Sequence, residues 1–209
     1  MATEEKFLKA IKQLRKTDRK RNFAQSVDLI INLKNFNLRK DAFNLFVQVP
    51  NKIKDKKIAG FLEKKSGLVE TITKDEFARF GDKKELKKLI KNYDFFIANA
   101  KLMPAVATSF GRVLGPVGKM PSPQLGILTS EDETAIKNLI DKINSSVRVR
   151  VKEPSIKIAI GKEDLKDEEI LKNLLAVYDK ILEALPKKGE NVKNVLIKFS
   201  MDKPVSVGV

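Results

Sequence analysis

Both ends of the chain alternate apolar and polar residues strictly, while its middle carries a continuously apolar strand. In SVDLIINL (Ser26–Leu33) the residues Val27, Leu29, Ile31 and Leu33 take every second position, the signature of a strand with one buried face. Phe43, Leu45, Val47 and Val49 repeat the pattern up to Pro50. VRVRVKE and SIKIAIG, on either side of Pro154, and VKNVLIKFSM (Val192–Met201) repeat it near the C-terminus. Between them the period changes. KIAGFL is followed by two Lys-rich helical stretches, the buried strand DFFIANA (Asp94–Ala100), helical AVATSFGRVL and an amphipathic helix over Glu131–Ile143. That alternation predicts a small α/β domain with a mainly parallel sheet. Two further amphipathic helices, Thr3–Leu14 and Asp167–Leu185, flank the outer strands. The economical architecture joins the two chain ends in one α+β domain and inserts the α/β domain between them. Two linkers then lie side by side near Pro50 and Ser146, a hinge geometry.

Charge and missing residue types narrow the function. The 209 residues carry 42 Lys+Arg against 27 Asp+Glu, a net charge of +15. Without cysteine the chain has no disulfide, no thiolate nucleophile and no ordinary structural zinc site. Without histidine it lacks the commonest general base and metal ligand. A strong positive field with few catalytic residue types favours a polyanionic partner. No apolar run has membrane-spanning length, and MATEEKFLKA reads as a helix start, so a soluble intracellular protein is expected.

FGRVLGPVGKMPSP (Phe110–Pro123) packs three glycines, three prolines, Arg112 and Lys119 into one stretch. A phosphate-binding P-loop needs a glycine five positions before Gly118 and a hydroxyl residue after Lys119. Val113 and Met120 stand there instead. Gly111, Gly115 and Gly118 also miss the dinucleotide spacing. The stretch is therefore expected to be a rigid Gly/Pro surface turn.

Three segments carry a family resemblance. VLGPVGKMPSP (Val113–Pro123) resembles the LGPRGKMPNP-type signature of the large-subunit ribosomal protein one family, the universal lateral-stalk ribosomal protein. KRNFAQSVDL (Lys20–Leu29) is similar to that family's first-strand motif in its archaeal members, and NVKNVLIKFSMDKP (Asn191–Pro204) to its C-terminal strand. The resemblance implies a split RNA-binding α+β domain, residues 1–51 plus 147–209, around an inserted Rossmann-like three-layer α/β domain, residues 52–146. It implies a non-enzymatic constituent of the large subunit, in the cytoplasm on the ribosome. The implied partners are the rRNA stalk stem, deacylated tRNA leaving the ribosome, and the protein's own mRNA, which it represses. It implies a monomer when free, no cofactor and no membrane. An enzyme acting on a phosphorylated small molecule and a general nucleic-acid chaperone stand as alternatives.

The RNA-contacting residues expected are Arg21, Phe23, Gln25, Ser26, Ser155, Lys157, Asn194, Lys198, Ser200 and Met201. Arg15, Lys16, Arg19, Lys20 and Arg21 form a basic run into the first strand, expected to touch phosphate. Ser26, on the polar side of its strand, can reach a phosphate or a ribose 2′-OH, with Arg21 and Gln25 beside it as donors. Phe23 is expected to pack beneath or against that surface. Ser200 and Met201 match the Thr and Met of the family motif. Asp202 stands where the family has glycine, adding bulk and a negative charge.

Overall fold

A computed structural model describes residues 2–17 and 21–208. In chain order the elements are α1 (Ala2–Thr17), β1 (Ser26–Leu33), α2 (Leu38–Asp41), β2 (Asn44–Gln48), β3 (Ile58–Phe61), β4 (Glu70–Ile72), α3 (Lys83–Asn92) and β5 (Phe95–Asn99). They continue with α4 (Met103–Val117), β6 (Ile127–Leu128), α5 (Glu133–Asn144), β7 (Ser146–Arg150), β8 (Ser155–Lys162), α6 (Asp167–Ala184), β9 (Val192–Phe199) and β10 (Val205–Val207). The chain divides into two compact units, residues 1–54 with 145–209, and residues 55–144.

The first unit is built on a sheet ordered β10-β9-β1-β8, with every pairing antiparallel. Alternation along β1 buries Val27, Leu29, Ile31 and Leu33 on one face. The same core holds Phe7, Ile11 and Leu14 of α1 and Ile170, Leu174, Val177 and Ile181 of α6. Phe7 meets Tyr178 edge-on, with ring centroids 5.4 Å apart, and removing a buried ring of this size typically costs about 3–5 kcal/mol. Strands β2 and β7 form a separate antiparallel pair. Buried Asn173 of α6 fastens the place where the chain leaves this unit. Its amide donates to the carbonyls of Asn51 (2.9 Å) and Ile160 (3.0 Å), and its oxygen accepts from the Asn51 N–H (2.9 Å).

The second unit has a parallel sheet ordered β4-β3-β5-β6. Ala59, Phe61, Phe96 and Ala98 share a core with Leu86 and Leu89 of α3 and Val106, Phe110 and Leu114 of α4. Ile58, Gly60, Leu62 and Ile97, which point the other way, are buried too, as a parallel sheet covered on both faces requires. The antiparallel and parallel sheets make the mixed fold class expected from the periodicity.

Two local readings are corrected. Between KIAGFL and the helix over Lys83–Asn92 the chain forms β4, a short edge strand, where the first of two Lys-rich helical stretches is expected. The Gly/Pro stretch is not a loop throughout. Helix α4 runs to Val117 with Phe110 and Leu114 in the core, and Pro116 falls in its last turn. Gly118 then ends it in the left-handed conformation (φ 75°), where a side chain would be strained. Lys119, just past this turn, reaches back to α3. Its ammonium donates to the carbonyls of Ile90 (2.7 Å) and Tyr93 (2.6 Å), at the C-terminal end of α3. Those carbonyls have no intrahelical partner and carry the negative end of the helix dipole. Lys119→Met should therefore destabilise the protein by about 1–2 kcal/mol, the scale of a lost charge-assisted bond at a helix end. Chemical denaturation checks this, and an unchanged midpoint would remove the capping role.

Candidate nucleic-acid interface

The segment leading into β1 and the turn leaving β9 meet because Val27 pairs with Phe199. Beyond that pair the Ser200 N–H and hydroxyl both donate to the Ser26 carbonyl, at 3.1 and 3.3 Å. Gln25 accepts the Met201 N–H on Oε1 at 3.2 Å. Gln25 is itself clamped, its carbonyl accepting from the Glu163 N–H (2.8 Å) and its N–H donating to the Glu163 carboxylate (3.1 Å). With 1% of its surface exposed, Gln25 is not the outward donor the sequence suggested. It positions Met201 instead.

The clamp leaves two large apolar side chains in the open, Phe23 at 55% exposure and Met201 at 61%. Phe23 therefore does not support the surface from below. Ser200 and Met201 lie in a turn past the end of β9, not within the strand. In the same turn the Asp202 N–H donates to the Phe199 carbonyl at 3.1 Å. Its Oδ2 is buried with no hydrogen-bond partner, a costly arrangement for a carboxylate oxygen.

From this edge the polar face of the sheet runs back along β1 as Ser26, Asp28, Ile30 and Asn32. Lys162 is aligned with Ser26, Lys198 with Asp28, and Lys157 and Leu196 with Ile30. The far row is closed on itself. Ser155 donates to Asn32 Oδ1 at 2.9 Å, and Asn32 donates to Asn194 Oδ1 at 2.7 Å. The candidates thus fall into two groups. Ser26, Lys198, Ser200 and Met201 lie at or beside the clamp, and Arg21 and Phe23 precede it in the chain. Ser155 and Asn194 lie six residues away along β1, about 20 Å at strand rise, and Lys157, aligned with Ile30, stands between the two groups. Exposed Lys157 also reaches Glu153 at 3.4 Å.

The basic run divides as well. Arg15 is half-buried and tied to the start of α6, donating to the Asp167 carboxylate and to the carbonyls of Glu163 (3.2 Å) and Leu165 (2.5 Å). It is a structural tether, which corrects its expected phosphate role. Lys16 and Arg21 are exposed; Arg19 and Lys20 lie outside the described residues. Asp28, Asn32 and Lys162 were missed, although each occupies a polar position in an alternating strand. Burial pushes the Asp28 carboxyl above the ordinary carboxylate value, and neighbouring Lys198 opposes the shift. Among the described residues, no group of three His, Cys, Asp or Glu could hold a metal ion, and no helix is long and apolar enough to cross a membrane.

These features define a basic, two-unit α/β protein with an exposed aromatic and thioether edge. The model of the Ribosomal protein L1p/L10e family matches residues 14–202, and the chain belongs to that family. It is 35% identical to the large ribosomal subunit protein uL1 of Methanothermobacter thermautotrophicus, over 98% of this chain and 99% of the relative. It is 36% identical to the protein of the same name in Pyrobaculum calidifontis, over 97% and 93%. To that of Thermococcus kodakarensis it is 34% identical, over 97% of each. All three are named as ribosomal proteins, not as enzymes.

The Asp28 shift has a definite sign. A carboxyl raised in the folded state contributes stability below its unfolded value and loses it as pH rises through the folded value. Asp28→Asn should therefore raise the melting temperature near neutral pH. The gain should vanish below about pH 3, where the carboxyl is protonated in both states. Melting curves at the two pH values check this; equal effects at both would assign the change to packing.

Proposed function

We propose that the protein is a structural constituent of the large ribosomal subunit that binds large-subunit rRNA at the lateral stalk, in the cytoplasm. The unit formed by residues 1–54 and 145–209 is the RNA-binding domain, and the protein is a monomer when free. The observation that carries this reading is the clamped edge, where buried Gln25 accepts the Met201 N–H and Ser200 donates to the Ser26 carbonyl, with Met201 and the nearby Phe23 exposed and Lys198 two residues along the sheet. An exposed ring and a thioether on a rigid edge suit stacking on unpaired bases or packing against riboses. Lys198, Arg21 and Lys162 supply cations for the backbone, and Ser26 a hydroxyl for a 2′-OH. Ser155, Lys157 and Asn194 extend the contact along the sheet. Family membership supports the ribosomal setting. The resemblance of the three motifs supports two further roles, assisting the release of deacylated tRNA and repressing translation of the protein's own mRNA.

Phe23→Ala and Met201→Ala should each weaken binding to an rRNA stem by about 1–3 kcal/mol, with the melting temperature unchanged. Gln25→Ala should lower both affinity and stability, because it frees the Met201 N–H and opens a buried space. Titration of the full chain with stem RNA and a parallel thermal melt give both quantities. With about five phosphate contacts, log K should fall with log salt at a slope of roughly −3.5 to −4.5. Intact affinity in both exposed-residue variants would move the RNA site elsewhere.

A further inference from the structure

The parallel sheet of the second unit reverses direction in its middle. In chain order its strands are β3, β4, β5 and β6, but in space they lie β4-β3-β5-β6. The connection from β3 leads to one side and that from β5 to the other. In open parallel sheets the crevice beyond the carboxyl ends of the two strands at such a reversal is where anionic ligands bind. Here that crevice lies between the loop after β3 and the end of β5.

A carboxylate of the protein itself fills it. Glu131, two residues before α5, accepts the backbone N–H of Glu63 on Oε1 at 2.8 Å and that of Lys64 on Oε2 at 3.1 Å. Asn99, the last residue of β5 and only 4% exposed, donates its amide to Oε1 at 2.7 Å. The Asn99 oxygen is held in turn by the Lys101 N–H at 3.0 Å, which fixes the amide with its donor side towards Glu131. Two successive backbone donors and a buried, oriented amide thus converge on one two-oxygen anion. Such a concavity of N–H groups is selective for negative charge. Burial alone would raise the Glu131 carboxyl, but the bonds from Glu63, Asn99 and Lys64 and the Lys64 charge together bring it below its ordinary value. No other role for the crevice is needed by the RNA reading, whose residues all lie outside 55–144.

We propose that the crevice beyond the carboxyl ends of β3 and β5 is a binding site for phosphate-class oxyanions, closed in the native chain by Glu131 as a tethered occupant. Tethering gives the carboxylate an effective concentration on the order of millimolar or higher. Dilute phosphate therefore does not displace it, and removing it exposes a cradle of the right charge and spacing.

The test uses the full chain as wild type, Glu131→Ala and Glu131→Gln, in chloride and in inorganic phosphate at matched ionic strength. Glu131→Ala should melt lower than wild type in chloride. Phosphate should raise the Glu131→Ala melting temperature well beyond the general kosmotropic gain that it gives wild type, and so recover a large part of the difference. The amide resonances of Glu63, Lys64 and the Asn99 side chain should move saturably in the variant alone. A dinucleotide carrying only a bridging phosphodiester, titrated in parallel, identifies the source. Saturable shifts with it assign the cradle to RNA backbone; shifts with inorganic phosphate alone assign it to free or terminal phosphate. Should Glu131→Ala not fold in chloride, recovery on refolding in phosphate supports the site, and failure in both salts overturns it. The proposal is also overturned if neither anion moves those resonances, or if phosphate shifts wild type and both variants equally. Glu131 would then be a hydrogen-bonded fastener only.

Discussion

Strand β1 is held on both edges by strands from the far end of the chain. Ile30 aligns with Lys157 on one side and with Leu196 on the other. Burial of Val27, Leu29, Ile31 and Leu33 against α1 and α6 makes that pairing favourable, and it closes a unit from two segments that residues 55–144 separate. The entropy of closing so long a loop grows only with the logarithm of its length, by about 0.6 kcal/mol per doubling. A whole domain is therefore tolerated there once the outer strands bury enough apolar surface. The arrangement also makes β1 the place where sequence-distant side chains are brought together.

The candidate RNA edge follows from that pairing. Val27 against Phe199 sets the register, and the register sets Ser200 beside Ser26 and Met201 beside Gln25. A shift of one residue would turn every polar side chain of β1 into the core. Phe23 and Met201 lie just beyond the strand ends, at positions that continued alternation would turn inward, and both are exposed because the chain leaves the strand pattern there. Asp202 bears on the same turn. Its Oδ2 is buried there without a hydrogen-bond partner, a local cost that the turn carries.

In the second unit, charges that look free in the sequence serve the fold. Lys119 caps α3, and Glu131 ties the loop after β3 to the end of β5. Each satisfies backbone groups that the ends of secondary structure leave open. The Gly/Pro signature accordingly reads as a helix terminus with a capping lysine. Its left-handed Gly118 turns the chain so that Lys119 can reach α3.

Alternation with period two determined, without tertiary information, which faces of β1, β8 and β9 are buried, because side chains of a strand point to opposite sides whatever it pairs with. The apolar run FFIA (Phe95–Ala98) within DFFIANA likewise pointed to a strand covered on both faces. The three motifs carried the family resemblance, which the match to the Ribosomal protein L1p/L10e family bears out. Only the tertiary structure decided which polar residues meet. Gln25, Arg15 and Lys119 look like surface donors in one dimension. Their partners, Met201, Asp167 and the end of α3, lie beyond any local spacing. Strands β4 and β10 were illegible for the same reason: three residues carry too little periodicity, and each exists because a neighbouring strand offers an edge. Glu131 is the plainest case. Nothing near it in sequence marks an anion cradle, since Glu63 and Lys64 arrive from the loop after β3 and Asn99 from the end of β5, and they converge only once the sheet has formed.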